Sequence, residues 1–262
     1  MIDLKQLNQS LAPVTFTMDT LSLVKKSLRK GMWATSIDLS DAYHHIPIRA
    51  SSQVYLCFQV GDKRYRYLVL PFGLMSAPWL FTQVVKQLKR WAAKHCVALF
   101  QYLDDWLNVN NDKAKLVRST QELVSLCERL GLLVNVAKSE LEPRQKIVFL
   151  GELLDLETGL ALATPTRQSE VRERVLKAIT TPSLPLRVLE STLGLLGATY
   201  PTVPWGCLYL RKRQGQVLGG IAKGRSATNM VEISQETRDH LQFWLQDQVW
   251  IPGVPFLRPL PA

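Results

Sequence analysis

An α+β body followed by a basic helical appendage is the fold that the sequence predicts, and three observations predict it. Short apolar runs rich in Val, Tyr, Phe and Leu are mixed with amphipathic helical segments up to about residue 164. Helical patterns alone follow. Prolines and positive charge rise at the same boundary. A length of 262 residues allows between one and two compact units, and 47% hydrophobic residues suffice for a core, which excludes a disordered tail.

Residues 21–28 place Leu21, Val24 and Leu28 on one helical face, with Asp19 or Thr20 as N-cap. An extended run, 33–39, comes next. Residues 54–60 and 65–70 have strand composition and join through Gly61-Asp62, a hairpin signal. Ser76-Ala77-Pro78 starts a helix, with a hydroxyl cap and a first-turn proline. Leu80, Val84, Leu88 and Trp91 give that helix an apolar face to about Lys94. Residues 97–102 and 106–109 read as strands around Asp104-Asp105, and 113–130 as a helix ended by Gly131. Residues 147–154 and 160–163 form another hairpin across Glu157-Thr158-Gly159. Helical patterns then cover 169–179, 186–200 and 234–249.

Composition narrows the function. The longest apolar runs, such as 193–198, fall far short of the ~20 residues that cross a bilayer, so no membrane partner is expected. The first residues lack a signal-peptide pattern. Cys57, Cys96, Cys127 and Cys207 are scattered without a Cys-x-x-Cys pair, so the expectation is reduced thiols in an intracellular chain, with no zinc site. The net charge of +10 is uneven: residues 165–230 carry 10 basic and 3 acidic side chains. Such a segment is either a solvated helix face or a surface for a polyanion, where Lys and Arg gain by releasing phosphate counterions.

Three places carry chemistry. Asp104-Asp105 interrupts two apolar runs, and Asp38 ends a third within Asp38-Leu39-Ser40-Asp41-Ala42-Tyr43. An Asp-Asp pair alone is ordinarily a turn. Two carboxylates at the ends of neighbouring buried strands repel, however, and a hard divalent cation relieves the repulsion. Two Mg²⁺ ions about 4 Å apart can activate a hydroxyl and stabilise a leaving pyrophosphate. Asp38 and Asp104 are the pair expected side by side. The third place is Leu70-Pro71-Phe72-Gly73-Leu74-Met75-Ser76-Ala77-Pro78, a strand-to-helix turn.

Together these segments resemble the first three palm motifs of reverse transcriptases, in order and at compatible distances. Gly131-Leu132-Leu133-Val134-Asn135 with Lys138 resembles the fourth motif, Phe149-Leu150-Gly151 the primer-grip hairpin, and Asp3-Leu4-Lys5-Gln6-Leu7-Asn8 the end of the fingers motif. The wording Tyr102-Leu103-Asp104-Asp105-Trp106-Leu107 is most similar to DIRS-like retrotransposons, which integrate with a tyrosine recombinase.

The resemblance implies a right-hand polymerase with a ferredoxin-like antiparallel palm, partial fingers and an α-helical thumb. Residues 1–33 and 46–79 would be partial fingers, 34–45 and 80–164 the palm, 165–230 the thumb and 231–262 a connector toward a ribonuclease H domain. Asp38 and Asp104 would bind two Mg²⁺ ions (Mn²⁺ as substitute), with the Leu39 carbonyl as a further ligand and Asp105 in support. Tyr43 would be the steric gate against a nucleotide 2′-hydroxyl. Phe72, Gly73 and Lys5 would meet the incoming nucleotide, and Lys138 its leaving pyrophosphate. Arg167, Arg172, Arg174, Lys177, Arg187 and Arg211-Lys212-Arg213 would contact primer–template phosphates. Gly194 and Gly197 would let thumb helices approach closely, and His44 and His45 would be structural.

The implied partners are an RNA or DNA template with primer, deoxynucleoside triphosphates, and the rest of a polyprotein carrying ribonuclease H and recombinase. Most basic residues of the fingers precede the segment matching Asp3 in the family, so the chain is expected to be part of a larger polyprotein or a degraded copy. Two further readings stand beside the polymerase. One is a remnant that only binds nucleic acid; the other is a two-metal nuclease, which leaves Tyr43 and the 70–78 turn unexplained.

Overall fold

The computed structural model describes residues 3–95, 97–210 and 228–256, and divides into two compact units, 1–147 and 148–262. The division comes earlier than the boundary expected near 164. The strands at 152–163 therefore belong with the helical half, which is not helical alone.

In the first unit, α1 (Lys5–Gln9) and α2 (Leu21–Ser27) precede β1 (Trp33–Asp38). Thr20 caps α2 by accepting from the Leu23 N–H at 3.3 Å. Asp19 instead serves the core, where its buried carboxylate pairs with Lys89 and accepts from the Gln101 N–H at 2.8 Å. The hairpin β2 (Cys57–Val60) and β3 (Lys63–Arg66) is shorter than expected, because Ala50–Leu56 winds into 3-10 turns before the strand begins.

Helix α3 (Ala77–Lys94) has its proline in the first turn as expected, but Ser76 makes no side-chain capping bond. Its buried stripe is Ala77, Phe81, Val85, Leu88 and Ala92, which keeps Leu88 of the expected face and leaves Leu80 and Trp91 partly buried. Val84 is 44% exposed. The two stripes are adjacent and have the same spacing. Choosing Phe81 over Val84 brings the larger side chain inward and sets two alanines at the ends of the face, where they allow close approach.

Strands β4 (Ala98–Tyr102) and β5 (Asp105–Asn110) follow, then α4 (Lys113–Arg129) and β6 (Glu140–Arg144). Asp112 caps α4 by accepting from the Ala114 and Lys115 N–H groups at 2.8 and 3.1 Å. Gly131 takes φ +76° after it, a conformation that favours glycine. The sheet has order β4-β5-β1-β6, antiparallel throughout. Strand β6 is an addition to the expected elements, and its Pro143 suits an edge.

Trp106 and Leu107 are fully buried on the central strand β5. Beside them, Asn108 Nδ2 donates to Ser119 Oγ and Thr120 Oγ1, both at 3.1 Å, and Thr120 bonds Thr35 at 2.8 Å. This buried network ties β5, β1 and α4 together. Burial pushes the Cys127 thiol up to about 12, so it stays a neutral core side chain.

The division falls within β7 (Lys146–Phe149). The second unit continues with β8 (Glu152–Asp155), β9 (Leu160–Ala163) and α5 (Pro165–Thr180), then β10 (Ser183–Pro185) and α6 (Leu186–Thr199). Strand β11 (Met230–Glu232), α7 (Gln235–Gln242) and β12 (Val254–Pro255) complete it. The expected strand 147–154 is broken at Leu150 and Gly151, whose φ values of +47° and +81° mark a hairpin turn.

Helix α5 begins before the expected residue 169, since Thr164 caps it and Pro165 opens its first turn. The expected helix 234–249 stops at Gln242 and gives way to 3-10 turns. Trp244, Leu196, Val171 and Val175 are fully buried in this unit's core. Gly194 has nothing within 4 Å of where its Cβ would be, so the close helix approach expected there is not made.

Candidate active site

Strand pairing brings the carboxylates together. Asp38, the last residue of β1, lies opposite Asp105, the first of β5. Contrary to the expectation from sequence, Asp104 does not close a strand; it occupies the two-residue turn Leu103-Asp104 between β4 and β5. Its carbonyl accepts from the Leu39 N–H at 3.0 Å, which fixes the turn against the end of β1. Leu103 sits at φ +53°, a left-handed conformation that costs a leucine of order 1 kcal/mol or more. The turn is held by the indole of the buried Trp106, which donates to the Leu103 carbonyl at 2.7 Å.

Asp105 senses both of the other acids. Burial first, then Asp104, then Asp38 raises the Asp105 carboxyl above its ordinary 3.8, and Lys138 pulls it down. A raised carboxyl adds stability below pH 3.8 and loses it as pH rises through the folded value. Without divalent ions, Asp105→Asn is therefore expected to raise the urea midpoint at pH 7. The advantage should vanish as pH falls toward 3.8, and Mg²⁺ should narrow it at pH 7.

Tyr43 joins the second and third motifs to the first. It lies in a 3-10 turn, Ala42–His45, and is only 9% exposed. Its ring packs on Phe72 (centroids 5.0 Å) and edge-on to Phe81 (5.9 Å). Burial, then the charge of Asp104, raises its phenol, which stays protonated at neutral pH.

His45 is structural, as expected: its Nε2 accepts from the Leu133 N–H at 3.0 Å, which leaves Nδ1 to donate to the Ala42 carbonyl at 3.1 Å. His44 stacks edge-on to Phe72 and lies 3.8 Å from Asp41.

Phe72 is 45% exposed, and Gly73 takes φ +92°. The turn they form is clamped by Asn8, the last residue of the segment that resembles the fingers motif, though the sequence alone assigns it no role. Its Nδ2 donates to the Gly73 carbonyl at 2.9 Å and its Oδ1 accepts from the Met75 N–H at 2.8 Å. Lys5, Asn8 and Gly73 line one open cleft of about 540 Å³ together with Asp3, Leu4 and Gln9. Asn8→Ala should cost about 1 kcal/mol, read as a lower urea midpoint, because both bonds are solvent-accessible.

Lys138 is exposed, and its charge offsets part of the rise at Asp105. Its loop runs along β1: Leu39 bridges Val134, and the Ser40 N–H donates to the Leu133 carbonyl at 2.9 Å.

In the second unit, Gly151 lies against Arg167: a Cβ there would meet the guanidinium at 3.2 Å. Arg172 donates to the Leu245 carbonyl and to Asp247. Arg174 donates to Ser191 and Glu170. These two guanidinium groups are thus engaged within the unit. Lys177 and Arg187 are exposed and line a cleft of about 470 Å³ on α5 and α6. Arg211, Lys212 and Arg213 lie outside the described residues. Phe149 is buried and Leu150 half-buried.

Among the described residues no group of three or more His, Cys, Asp and Glu is placed to hold a metal ion by itself. Two carboxylates fit a hard cation that completes its shell with water and phosphate oxygens. Burial, then the charges of Asp104 and Asp38, raises Asp105, which a cation would relieve.

A sequence model of the family described as reverse transcriptase (RNA-dependent DNA polymerase) matches residues 1–153. The chain belongs to that family. This reverse transcriptase chain is 30% identical over 204 residues to the Gag-Pol polyprotein of walleye dermal sarcoma virus, covering 77% of the chain and 11% of the polyprotein. It is 27% identical over 154 residues to a retrovirus-related Pol polyprotein from transposon opus of Drosophila melanogaster, covering 58% and 15%.

The chain therefore spans a small part of its polyprotein relatives. Its fold is that of foamy viral protease-reverse transcriptase in complex with RNA/DNA hybrid, with TM-score 0.77 and 20% identity over 97% of this chain and 32% of that one. Among the described residues, no helix of this reverse transcriptase is long and apolar enough to cross a membrane.

Proposed function

We propose that this chain is the RNA-directed DNA polymerase core of a retroelement, adding deoxynucleotides to a primer 3′ end on an RNA or DNA template. One observation carries the reading: Asp38, Asp104 and Asp105 gather beside Tyr43, whose ring packs on Phe72 of the strand-to-helix turn. A nuclease needs the acids but not the buried tyrosine.

Asp38 and Asp104 would hold Mg²⁺, with the Leu39 carbonyl and Asp105 in support. Two such ions supply activation of the primer hydroxyl and charge neutralisation of the leaving pyrophosphate. Tyr43 excludes a 2′-hydroxyl by volume. Lys138 offers charge, and a proton, to the departing pyrophosphate. Lys5 and Gly73, on one cleft, and the exposed Phe72 meet the incoming nucleotide.

In the right-hand arrangement, 1–33 and 46–79 serve as partial fingers and 34–45 with 80–147 as the palm. Residues 148–164, grouped with the basic helices, present Phe149-Leu150-Gly151 to the primer, and 165–230 act as thumb ahead of a connector. Of the thumb cations, Arg167, Lys177 and Arg187 are the better placed to reach phosphates, since Arg172 and Arg174 have internal partners. The wording of 102–107 and Asn135-x-x-Lys138-Ser139 supports a DIRS-like affiliation.

The test is extension of a labelled DNA primer on an RNA template by the purified chain with deoxynucleotides and Mg²⁺. Template-directed extension is expected. Duplex binding with no extension in Mg²⁺ or Mn²⁺ would instead identify a binding-only remnant.

A further inference from the structure

The end of β1 is fastened by a side chain where its neighbour strand has not yet begun. The Asp38 N–H donates to Ser139 Oγ at 3.0 Å instead of to a strand carbonyl. The same hydroxyl donates to the Asn135 carbonyl at 2.7 Å, and the Asn135 N–H donates to the Asp38 carbonyl at 2.8 Å. These three bonds close a ring around the Asp38 peptide groups. Between Asn135 and Ser139 lies Lys138, whose own N–H donates back to the Asn135 carbonyl at 3.1 Å. The ladder of β1 and β6 resumes only at Ser36 and Glu140, and it does so irregularly.

We infer that Ser139 is a positioning residue: its hydroxyl locks the backbone of Asp38 to the loop that carries Lys138, so that carboxylate and ammonium keep one spacing. The inference rests on the roles proposed above for Asp38 and Lys138. Both hydrogen-bonding capacities of the hydroxyl are used, as acceptor toward one segment and donor toward the other. Threonine can reproduce both; alanine can reproduce neither.

Hydrogen exchange at the Asp38 amide and Mn²⁺ binding, compared in parent, Ser139→Ala and Ser139→Thr, test the lock without requiring turnover. Ser139→Ala should speed Asp38 exchange by about tenfold, as loss of one hydrogen bond implies, and weaken Mn²⁺ binding severalfold. Ser139→Thr should restore both. Unchanged Asp38 exchange and Mn²⁺ binding in Ser139→Ala would overturn the lock, as would exchange that rises uniformly along β1 with lowered thermal stability.

Primer extension separates the two readings. If the parent extends primers but Ser139→Ala matches it in exchange and Mn²⁺ binding, the lock falls and the polymerase stands. If the parent extends nothing while the alanine variant shows the local effects, the polymerase falls and the lock stands. In an active enzyme, Ser139→Ala should lose less activity in a Lys138→Ala background than alone, since the lysine it holds is already gone.

Discussion

Asp104→Asn is expected to lower the proposed Mg²⁺-dependent primer extension by on the order of a thousandfold while the protein remains folded. Asparagine keeps the shape of the side chain and leaves the Asp104 carbonyl bonded to the Leu39 N–H, so the turn survives. What disappears is one of the two anionic groups proposed to hold the ions. The charge of Asp104 is also one of the causes that raise Asp105, so its removal should not lower stability at neutral pH. Loss of activity without a lower melting temperature is the expected pair of readings. Extension at the parental rate would remove the two-metal mechanism.

Tyr43→Val should reduce discrimination against ribonucleotides by on the order of a hundredfold, measured as the ratio of kcat/KM for deoxy and ribo substrates. The ring lies against Phe72 and Phe81, and valine leaves empty the volume that the proposed gate denies to a 2′-hydroxyl. The same vacancy should cost roughly 2–3 kcal/mol of stability, since the tyrosine is buried. Tyr43→Phe keeps the ring and should keep the discrimination. If phenylalanine relaxes it as far as valine does, the hydroxyl, not the volume, is the selector.

Much of the first unit is legible in the sequence because its central strands are short apolar runs and two of its helices, at 21–27 and 113–129, carry side-chain caps. The ends of those runs put Asp38 and the Asp104-Asp105 pair where pairing brings them together. They do not distinguish which of the two adjacent acids opens β5, because that depends on a turn of two residues with leucine in a left-handed conformation. The buried stripe of α3 is ambiguous for a similar reason: neighbouring stripes have equal spacing, and packing chooses the one with Phe81. The clamp by Asn8 and the lock by Ser139 cannot be read locally, since Gly73 and Asp38 lie 65 and 101 residues from them in the chain. The engagement of Arg172 with Leu245 and Asp247, and of Arg174 with Ser191, is likewise a matter of tertiary placement. The Glu170–Arg174 pair, by contrast, follows from i,i+4 helix spacing.

The leucine at the turn has a consequence for turnover. Its unfavourable backbone geometry is imposed when the hairpin closes over Trp106, so the entropy of ordering the acidic tip is spent during folding. A ligand arriving there meets groups already aimed and has little left to rearrange. Trp106→Phe keeps most of the buried ring but withdraws the indole donor, and it would shift that ordering cost from the folding reaction to each binding event at the tip.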